Sequence, residues 1–530
     1  MPSRNNSALA LLLLATAALA QGPVIATDPQ TGGISGSVVN AVSGAPVPRA
    51  HVTFRTVNSS QQKSYGAVTD DSGKFAITGM SVGSFTPTVT RPGFVMPRNA
   101  LGSVSVQNLK TGEKKEDYVI KIMPVGSISG RVLDSDGAPL ESITVSAGNG
   151  LGSDWLQTTQ TDDRGEFRIG GLAPGKYRVH AKPLNLPFPP EIRTDGTHEP
   201  HYGDTWYPGV LAAKEAGRVE VGPGTDVTGI EIHLIPTPMV RVSGKAAGFP
   251  SSAQRVTVQV RQGNNATTGG MVRKDGTFDV WRLDPGKYEL RAASGSLASA
   301  PVEIDLGAAN IDGLTLQYVQ PFDLAVHVDF DDPEPPPPAP RNGQRPPPPR
   351  PKVLTVRDIV GGSMPPNTMP IAADGSFTVS QVTPSRYRLT PGWPQAYVKS
   401  VKVGDAQTEG STLDLRRFQP GTAVTVVIGY RRASLSGKVA EDDAAAAGAV
   451  VALVPEDRDA GPSPRFAQIG PDGAYRMASV VPGKYKVAVV EEGDVGFIQQ
   501  GAGLENYEEV AEAVELSPGD AAQKDLHRKR

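Results

Sequence analysis

A pair of turns, ten residues apart and usually carrying glycine, recurs five times along the chain and constrains what it can fold into. The first-turn glycines are Gly73, Gly165, Gly276, Gly375 and Gly473. The second-turn positions are Gly83, Gly175, Gly286, Ser385 and Gly483. Successive units lie 92, 111, 99 and 98 residues apart, so the pair of turns is fixed while the loops around it vary. Such a pattern is typical of a tandem array of one small domain.

The second unit shows why each domain is predicted to be a β-sandwich. Short runs such as Ile128–Val132 and Phe167–Ile169 alternate apolar and polar residues, which is the period of a half-buried strand. Asp162 and Gly165 form a turn between runs, because Asp caps its own backbone and glycine accepts a positive φ. No segment carries a sustained apolar stripe at helical spacing. We therefore predict an all-β chain with little helix.

An aromatic residue stands two positions after every turn position, and we predict that these rings form the cores. The rings after the first turns are Phe75, Phe167, Phe278, Phe377 and Tyr475. The rings after the second turns are Phe85, Tyr177, Tyr288, Tyr387 and Tyr485. We expect the two rings of each unit to face each other across one hairpin, because buried aromatic pairs dominate a small core.

The openings of the units resemble a known family. An aliphatic residue followed by Ser-Gly-x-Val occurs at Ile34, Ile128 and Leu435, with a near match at Val242, and Asp-x-Gly-x-Phe and Pro-Gly-Lys-Tyr turns follow. These residues resemble the carboxypeptidase regulatory-like domain. The resemblance implies an array of about five Greek-key β-sandwiches of the prealbumin-like or Ig-like type, grouped with carbohydrate-binding-like folds. It also implies a non-catalytic accessory role in exported proteins. The fourth unit departs, since Phe322–Val326 lacks Ser-Gly.

The repeat divides the chain into domains joined by short, proline-stiffened connections, from which we expect an elongated array. The predicted segments are a signal peptide at 1–20 and sandwiches at 21–125, 126–238, 239–320, 321–431 and 432–530. The fourth sandwich contains a Pro-rich insert at 331–352, whose composition indicates polyproline II. This insert is interpreted as a tolerated loop insertion, with a spacer or docking segment as the alternative.

The start of the chain predicts export. Arg4 precedes an apolar run, Ala8–Leu19, that is too short to span a bilayer, and Ala18–Ala20 provides a small-x-small cleavage site. We expect the mature protein to begin near Gln21 and to reside in the periplasm or outside the cell. With no cysteine in 530 residues, no disulfide framework or thiolate site is expected.

Charge and composition argue against several classes of partner. The formal net charge of −3 comes from 52 basic and 55 acidic residues spread along the chain, which gives no basis for binding nucleic acid. No later segment is long and apolar enough for membrane insertion. The 59 glycines and 48 prolines together make up about a fifth of the 530 residues, whereas these two residue types usually account for roughly 12%. We assign the excess to turns. We expect a monomer.

Candidate catalytic and metal-binding motifs are sparse. His198 and His201 flank Glu199 and Pro200, but the spacing is not that of a metalloprotease, and we interpret the segment as an exposed loop. The aspartates of the turns lack the bidentate glutamate of a Ca²⁺ loop and are interpreted as turn caps. No Gly-x-Ser-x-Gly elbow is present. We expect no catalytic residues, no metal and no cofactor, and hence no enzyme.

Aromatic residues outside the core pattern are the best candidates for a ligand site. Trp155, Tyr202, Trp206 and Tyr207 lie in loops of the second unit, where flat rings could stack on sugars or cover the end of the sandwich. Trp281 and Trp393 are further candidates. The functional prediction is a non-catalytic, exported binding or spacer protein of the cell envelope, with polysaccharide as the first ligand. The alternatives are a purely structural scaffold or protein-interaction rod and, less favoured, an accessory part of a hydrolase.

Overall fold

The computed structural model describes the residues 31–57, 62–97, 107–148, 156–184, 191, 194, 201–262, 265–335, 351–359, 367–419, 421–440, 449–457, 461–499 and 504–527. The predicted signal peptide and most of the Pro-rich insert lie outside them. The chain divides into two compact units, the first being Met1–Pro97 with Val104–Met123 and the second Arg98–Ser103 with Pro124–Arg530. Unit 1 holds one sandwich and unit 2 holds four.

Sandwich 1 consists of two four-stranded sheets. Its strands are β1 (Gly32–Asn40), β2 (His51–Thr56), β3 (Ser64–Val68), β4 (Lys74–Met80), β5 (Gly83–Thr90), β6 (Phe94–Val95), β7 (Gln107–Leu109) and β8 (Lys114–Pro124). The strand orders are β4-β1-β8-β6 and β3-β2-β5-β7.

Sandwich 2 opens unit 2. Its strands are β9 (Gly126–Leu133), β10 (Thr144–Gly148), β11 (Leu156–Gln160), β12 (Glu166–Leu172), β13 (Gly175–Lys182), β14 (Thr205–Trp206), β15 (Val219–Val221) and β16 (Asp226–His233). One sheet has the order β12-β9-β16, and the other has the order β11-β10-β13, with β14 and β15 both paired to β13.

Sandwich 3 joins its two layers through a short strand, β22. Its strands are β17 (Val240–Ala247), β18 (Thr257–Gln262), β19 (Asn265–Met271), β20 (Thr277–Leu283), β21 (Gly286–Ser294), β22 (Leu297–Ser299), β23 (Val302–Leu306) and β24 (Ile311–Val319). The order is β19-β18-β21-β22-β24-β17-β20, and β23 pairs with β21.

Sandwich 4 has sheets of five and four strands. Its strands are β25 (Phe322–Phe330), β26 (Val353–Asp358), β27 (Asn367–Pro370), β28 (Ser376–Val382), β29 (Arg386–Pro391), β30 (Tyr397–Val403), β31 (Ala406–Glu409), β32 (Thr412–Asp414) and β33 (Val424–Gly429). The orders are β28-β25-β33-β30-β31 and β27-β26-β29-β32.

Sandwich 5 carries a short α-helix. Its elements are β34 (Ala433–Lys438), β35 (Ala449–Pro455), β36 (Arg465–Gln468), β37 (Ala474–Val480), β38 (Gly483–Glu491), α1 (Val495–Gln499), β39 (Glu512–Leu516) and β40 (Ala521–Gln523). The sheet orders are β37-β34-β40 and β36-β35-β38-β39. The predicted all-β tandem array of sandwiches is confirmed.

The Ser-Gly motif has a structural cause in the pairing of the first and last strands of a sandwich. These strands run parallel, and β8 shifts register opposite Gly36 of β1. A Cβ atom on Gly36 would lie 1.9 Å from the carbonyl oxygen of Tyr118, and one on Gly130 would lie 1.8 Å from that of Ile230. Only glycine permits this approach of two backbones. Sandwich 4 has Val326 at this position, and there β25 and β33 pair without a register shift.

All ten predicted core rings are buried, but not as pairs across a hairpin. Phe75 lies on β4 in one sheet of sandwich 1, whereas Phe85 lies on β5 in the other sheet. The expected hairpin is therefore wrong, because the second turn carries the chain from one sheet to the other. The two rings of sandwich 1 thus enter one core from opposite layers, and their ring neighbours are Phe54 for Phe75 and Tyr65 for Phe85.

The second ring of units 2 to 5 is tyrosine, and its hydroxyl makes a hydrogen bond that phenylalanine could not make. A buried phenol needs a hydrogen-bond partner, and each O–H donates to the carbonyl four residues upstream. The pairs are Tyr177 with Ala173 at 2.6 Å, Tyr288 with Asp284 at 2.8 Å, Tyr387 with Thr383 at 2.9 Å and Tyr485 with Val481 at 2.5 Å. The tyrosine thereby ties the second turn to its strand.

The turn aspartates act as caps, as interpreted from the sequence. Oδ1 of Asp162 accepts hydrogen bonds from the backbone N–H groups of Arg164 at 3.0 Å and Glu166 at 2.8 Å. Asp70 makes the equivalent bonds to Ser72 and Lys74 at 2.9 and 2.8 Å. These carboxylates stabilise the turn conformation directly.

Candidate functional site

The predicted aromatic site is only partly described. Trp155 lies outside the described residues, whereas Tyr202, Trp206 and Tyr207 lie in an insert between β13 and β15. Tyr202 and Tyr207 are half-buried against the core of sandwich 2. The backbone N–H of Tyr207 donates to the carbonyl of Val179 at 2.9 Å. Both tyrosines therefore pack on their own sandwich.

Trp206 contacts two other rings. Its strand, β14, pairs with β13, which places its indole on the imidazole of His180 with 4.5 Å between ring centroids. Phe497 of sandwich 5 also contacts the indole, in an edge-on arrangement with 5.7 Å between ring centroids. Trp206 thus lies in a contact between sandwiches 2 and 5.

Sandwich 5 contributes to this contact through an insert of its own. Between β38 and β39 the chain forms a 3₁₀ turn at Glu492–Asp494, the helix α1 and a second 3₁₀ turn at Leu504–Tyr507. The apolar side chains of the insert pack on the outward face of β35 and β38, on residues such as Ala488 and Val490. This packing fixes the insert, so that its acidic residues point to sandwich 2.

Asp494 is the centre of an ion network between the two sandwiches, and its side chain is fully buried. Arg178 of β13 donates to its Oδ1 at 2.5 Å, and Arg218 donates to its Oδ2 at 2.8 Å. The phenol of Tyr507 also donates to Oδ2, at 2.5 Å, and Arg218 pairs in addition with Glu491. The carboxylate thus has three donors, which a buried charge requires.

The charges of this network support one another. Although burial opposes the charged form of Arg218, the carboxylates of Asp494 and Glu491 raise its pKa. Burial, together with the Asp494 carboxylate, raises the pKa of the Tyr507 phenol well above its ordinary value. The guanidinium of Arg178 also lies 4.6 Å from the centroid of the Phe497 ring, in a cation–π contact.

This contact corrects the expectation of an elongated array for unit 2. Sandwiches 2 and 5 touch, so the four sandwiches of the unit do not follow one another in a line. The short connections do not determine the arrangement alone, because the buried ion network and the ring contacts of the two inserts hold sandwiches 2 and 5 together.

A second ion network joins sandwiches 3 and 4. Arg291 of β21 pairs with Asp358 of sandwich 4 at 2.5 Å, with both side chains 7% exposed, and it donates to the hydroxyl of Thr383 at 3.2 Å. Arg416 of sandwich 4 pairs with Glu303 at 2.5 Å. Arg291 follows Tyr288 by three positions, as His180 follows Tyr177. The same outward strand face therefore serves both contacts.

The histidine motif is not the exposed loop expected from the sequence. His198 and Glu199 lie outside the described residues, but His201 is buried, with its Nε2 atom 3.5 Å from the Asp284 carboxylate of sandwich 3. The expectation fails because the insert folds over the joint between sandwiches 2 and 3. In the described part of the chain, no three His, Asp or Glu side chains are grouped closely enough to hold a metal ion.

Trp281 and Trp393 also have structural contacts. Trp281 is half-buried beneath the guanidinium of Arg241, which lies 5.2 Å from its ring centroid. Trp393 is buried in the core of sandwich 4, and its indole N–H donates to the hydroxyl of Tyr430 at 3.0 Å.

A polar groove lies on the outward face of β12, β9 and β16 and was not predicted from the sequence. It has a volume of about 660 Å³. Its walls include Gln160, Arg131, Glu166, Arg168 and Glu231. Arg131 and Glu166 form an ion pair at 2.5 Å. The strand alternation placed these side chains outward but did not indicate that they enclose a groove.

Two segments of the chain match a family model. Residues 33–111 and 127–186 match the carboxypeptidase regulatory-like domain. The matches cover most of sandwich 1 and the first five strands of sandwich 2, which include the Ser-Gly glycines Gly36 and Gly130. The resemblance drawn from the turns and the Ser-Gly motif is thereby confirmed. No curated protein matches the chain.

Several solved structures are similar to parts of this chain. The Bacillus anthracis TIE protein has 13% identity and a TM-score of 0.16, over 55% of this chain and 51% of that chain, so this chain spans about half of it. The streptococcal ancillary pilin has 14% identity and a TM-score of 0.23, over 55% and 99%. Two B repeat units of the collagen binding protein of Staphylococcus aureus have 10% identity and a TM-score of 0.14, over 76% and 99%. None of these likenesses carries an argument about function.

Proposed function

We propose that the protein is an exported, non-catalytic scaffold of the bacterial cell envelope that works by binding other proteins. The main observation behind this proposal is that the inserts of sandwiches 2 and 5 form a contact between these two sandwiches. Trp206 of one insert contacts Phe497 of the other, and Arg218 of the first pairs with Asp494 of the second. The side chains of these inserts hold sandwiches 2 and 5 together.

The arrangement of charges supports this proposal. A catalytic carboxylate needs access to a substrate, whereas the Asp494 carboxylate is enclosed by Arg178, Arg218 and Tyr507. Arg291 and Asp358 are enclosed in the same way between sandwiches 3 and 4. Paired buried charges of this kind specify one arrangement of neighbouring domains, which is the property a scaffold requires.

The chain's first residues and its described helices are the observations that bear on location. Export rests on Arg4, the apolar run that follows it and the small-x-small site at Ala18–Ala20. The absence of cysteine fits a protein whose domains are held by packing and ion pairs. Across the residues described, the helices are too short to traverse a bilayer.

Carbohydrate binding is the second candidate, and the polar groove of sandwich 2 favours it. Arginine, carboxylate and amide side chains line an open groove and could hydrogen-bond to sugar hydroxyls. The aromatic residues Trp155, Tyr202, Trp206 and Tyr207 are the alternative place for a glycan, which we call the aromatic site. Trp206 supports it less well, because His180 and Phe497 already contact its ring.

A glycan array and a hydrolase substrate panel test the proposal on the mature chain beginning at Gln21. The scaffold function predicts no retained glycan and no turnover. If a glycan is retained by the parent protein and not by Arg131→Ala, the protein binds glycans through the groove, and the scaffold proposal is wrong. If Trp206→Ala loses glycan binding while its thermal stability is unchanged, the glycan binds at the aromatic site. Turnover of any substrate would overturn the non-catalytic part.

A further inference from the structure

The outward face of one sheet of sandwich 1 is exposed, and we call it the open face. Its residues are His51, Thr53 and Arg55 of β2, Ser64, Gly66 and Val68 of β3, and Thr88 and Thr90 of β5. Thr53 is half-buried and the others are exposed. Backbone pairing places Thr53 between Gly66 and Thr88, so the face is continuous across three strands.

The corresponding face is covered in sandwiches 2, 3 and 5. Thr88 lies three positions after the core ring of its second turn, and the equivalent residues are His180, Arg291 and Ala488. The ring of Trp206 stacks on His180, whereas Arg291 is only 6% exposed and Ala488 only 2%. Thr88 itself is exposed. Three of the five sandwiches thus use this face for protein contacts, whereas the equivalent residue of sandwich 4, Thr390, is exposed.

In each covered case the chemistry of the cover matches that of the face. The basic face of sandwich 2, with Arg178, receives the acidic residues Glu491 and Asp494. The face of sandwich 3, with Glu289 and Arg291, receives residues of opposite charge from sandwich 4. The apolar face of sandwich 5 receives the apolar side of its own insert. The character of a face therefore indicates the character of its partner.

The open face combines hydroxyl groups with basic side chains. Thr53, Thr88 and Thr90 supply hydroxyls, while Arg55 and His51 supply the only ionisable groups. The face contains no acidic residue, and no acidic side chain of the described residues forms an ion pair with Arg55. Hydroxyl and guanidinium donors in one plane are suited to carboxylate acceptors.

We propose that the open face of sandwich 1 docks an acidic segment of another protein, in the way that sandwich 2 receives the acidic insert of sandwich 5. This inference rests on the proposed scaffold function and names the partner class. Carboxylates of the partner pair with Arg55 and accept a hydrogen bond from the His51 imidazole, and the hydroxyls of Thr88 and Thr90 donate to further acceptors. The contact fixes sandwich 1 to a protein outside the chain.

The test uses the mature chain and a fluorescent ten-residue peptide in which glutamate and serine alternate. A second peptide with glutamine in place of glutamate controls for charge. Arg55→Glu is compared with Arg476→Glu, which reverses an exposed charge on β37 of sandwich 5. Anisotropy measures affinity, and hydrogen–deuterium exchange locates the bound peptide.

The proposal predicts binding of the glutamate peptide, with slower exchange in residues 51–56 and 83–90. Arg55→Glu weakens this binding by about fivefold, as loss of an exposed ion pair does, and Arg476→Glu leaves it unchanged. If Arg55→Glu does not fold, Thr88→Glu takes its place. Equal affinity for the glutamine peptide, or an unchanged affinity in the folded variant, overturns the proposal. Such a failure leaves the scaffold function standing, because glycan retention and turnover are measured separately.

Discussion

Arg178 and Asp494 are 316 residues apart in the sequence, yet a guanidinium nitrogen of one lies 2.5 Å from a carboxylate oxygen of the other. Neither side chain is more than 5% exposed. The pair joins β13 of sandwich 2 to the insert of sandwich 5. The pair holds sandwich 5 against sandwich 2, and sandwiches 3 and 4 are joined by the separate pair of Arg291 and Asp358.

Replacement of Asp494 tests the strength of the contact. Asp494→Asn should destabilise the chain by about 3 to 5 kcal/mol, because it leaves Arg178 buried beside a neutral amide. Differential scanning calorimetry measures the change. Asp226→Asn is a matched control, because Asp226 forms an exposed ion pair with Arg168 at 3.2 Å and its loss should change stability by less than about 1 kcal/mol. Equal effects of the two substitutions would contradict the assignment.

The Ser-Gly motif is tested by adding a side chain where two backbones meet. Gly130→Val should destabilise sandwich 2 by about 3 kcal/mol or more, because the new Cβ would lie 1.8 Å from the carbonyl oxygen of Ile230. The matched control is Val326→Gly in sandwich 4, where a core side chain is lost but no clash arises. Urea unfolding followed by circular dichroism checks both. A Gly130→Val protein as stable as the parent would show that the motif has another cause.

Buried tyrosines predict a loss of stability in alkali. Burial, with the nearby carboxylate of Asp284, raises the pKa of Tyr288 to about 12, and burial raises that of Tyr485 to about 12. Because these values exceed the unfolded value of about 10, the contribution is complete below pH 10 and is lost as the pH rises through 12. Thermal melts between pH 9 and 12 measure it. Tyr288→Phe should flatten this dependence, and an unchanged slope would argue against the assignment.

Trp206 is predicted to contribute through packing. Trp206→Ala removes the contacts with His180 and Phe497 and should lower the melting temperature by about 4 °C or more. Trp281→Ala is the control, since the ring of Trp281 contacts Arg241 within sandwich 3. A Trp206→Ala protein that melts at the parental temperature would remove the indole from the contact between the sandwiches.

The sequence predicted the parts of the fold that local chemistry determines. The Asp162 cap, the Gly165 turn and the burial of Phe167 depend on residues a few positions apart, so one unit suffices to infer them. The hairpin expected between the two turns was wrong, since alternation indicates which side of a strand is buried but not which sheet it joins. The crossing between layers is visible only from the strand pairing.

The contact between sandwiches 2 and 5 could not be inferred in the same way. It joins a strand and an insert of sandwich 2 to an insert of sandwich 5. Neither Arg178 nor Asp494 is distinctive in its own stretch of sequence. The sequence feature that indicates an insert is the longer spacing after the second unit, which is 111 residues where the other spacings are 92, 99 and 98. Trp206 stood out for that reason and was assigned to ligand binding or end packing, but not to another sandwich.

A zero-length carbodiimide cross-link between Lys176 and Glu491 is the most direct test of this account. The ammonium nitrogen and a carboxylate oxygen of the pair lie 3.7 Å apart across the contact. Lys182 and Asp204, 3.3 Å apart within sandwich 2, provide the internal control. Mass spectrometry of the monomer fraction should detect both cross-links. If mass spectrometry detects the control cross-link but no cross-link between Lys176 and Glu491, sandwiches 2 and 5 do not form this contact. That result would also remove the structural basis of the proposed scaffold.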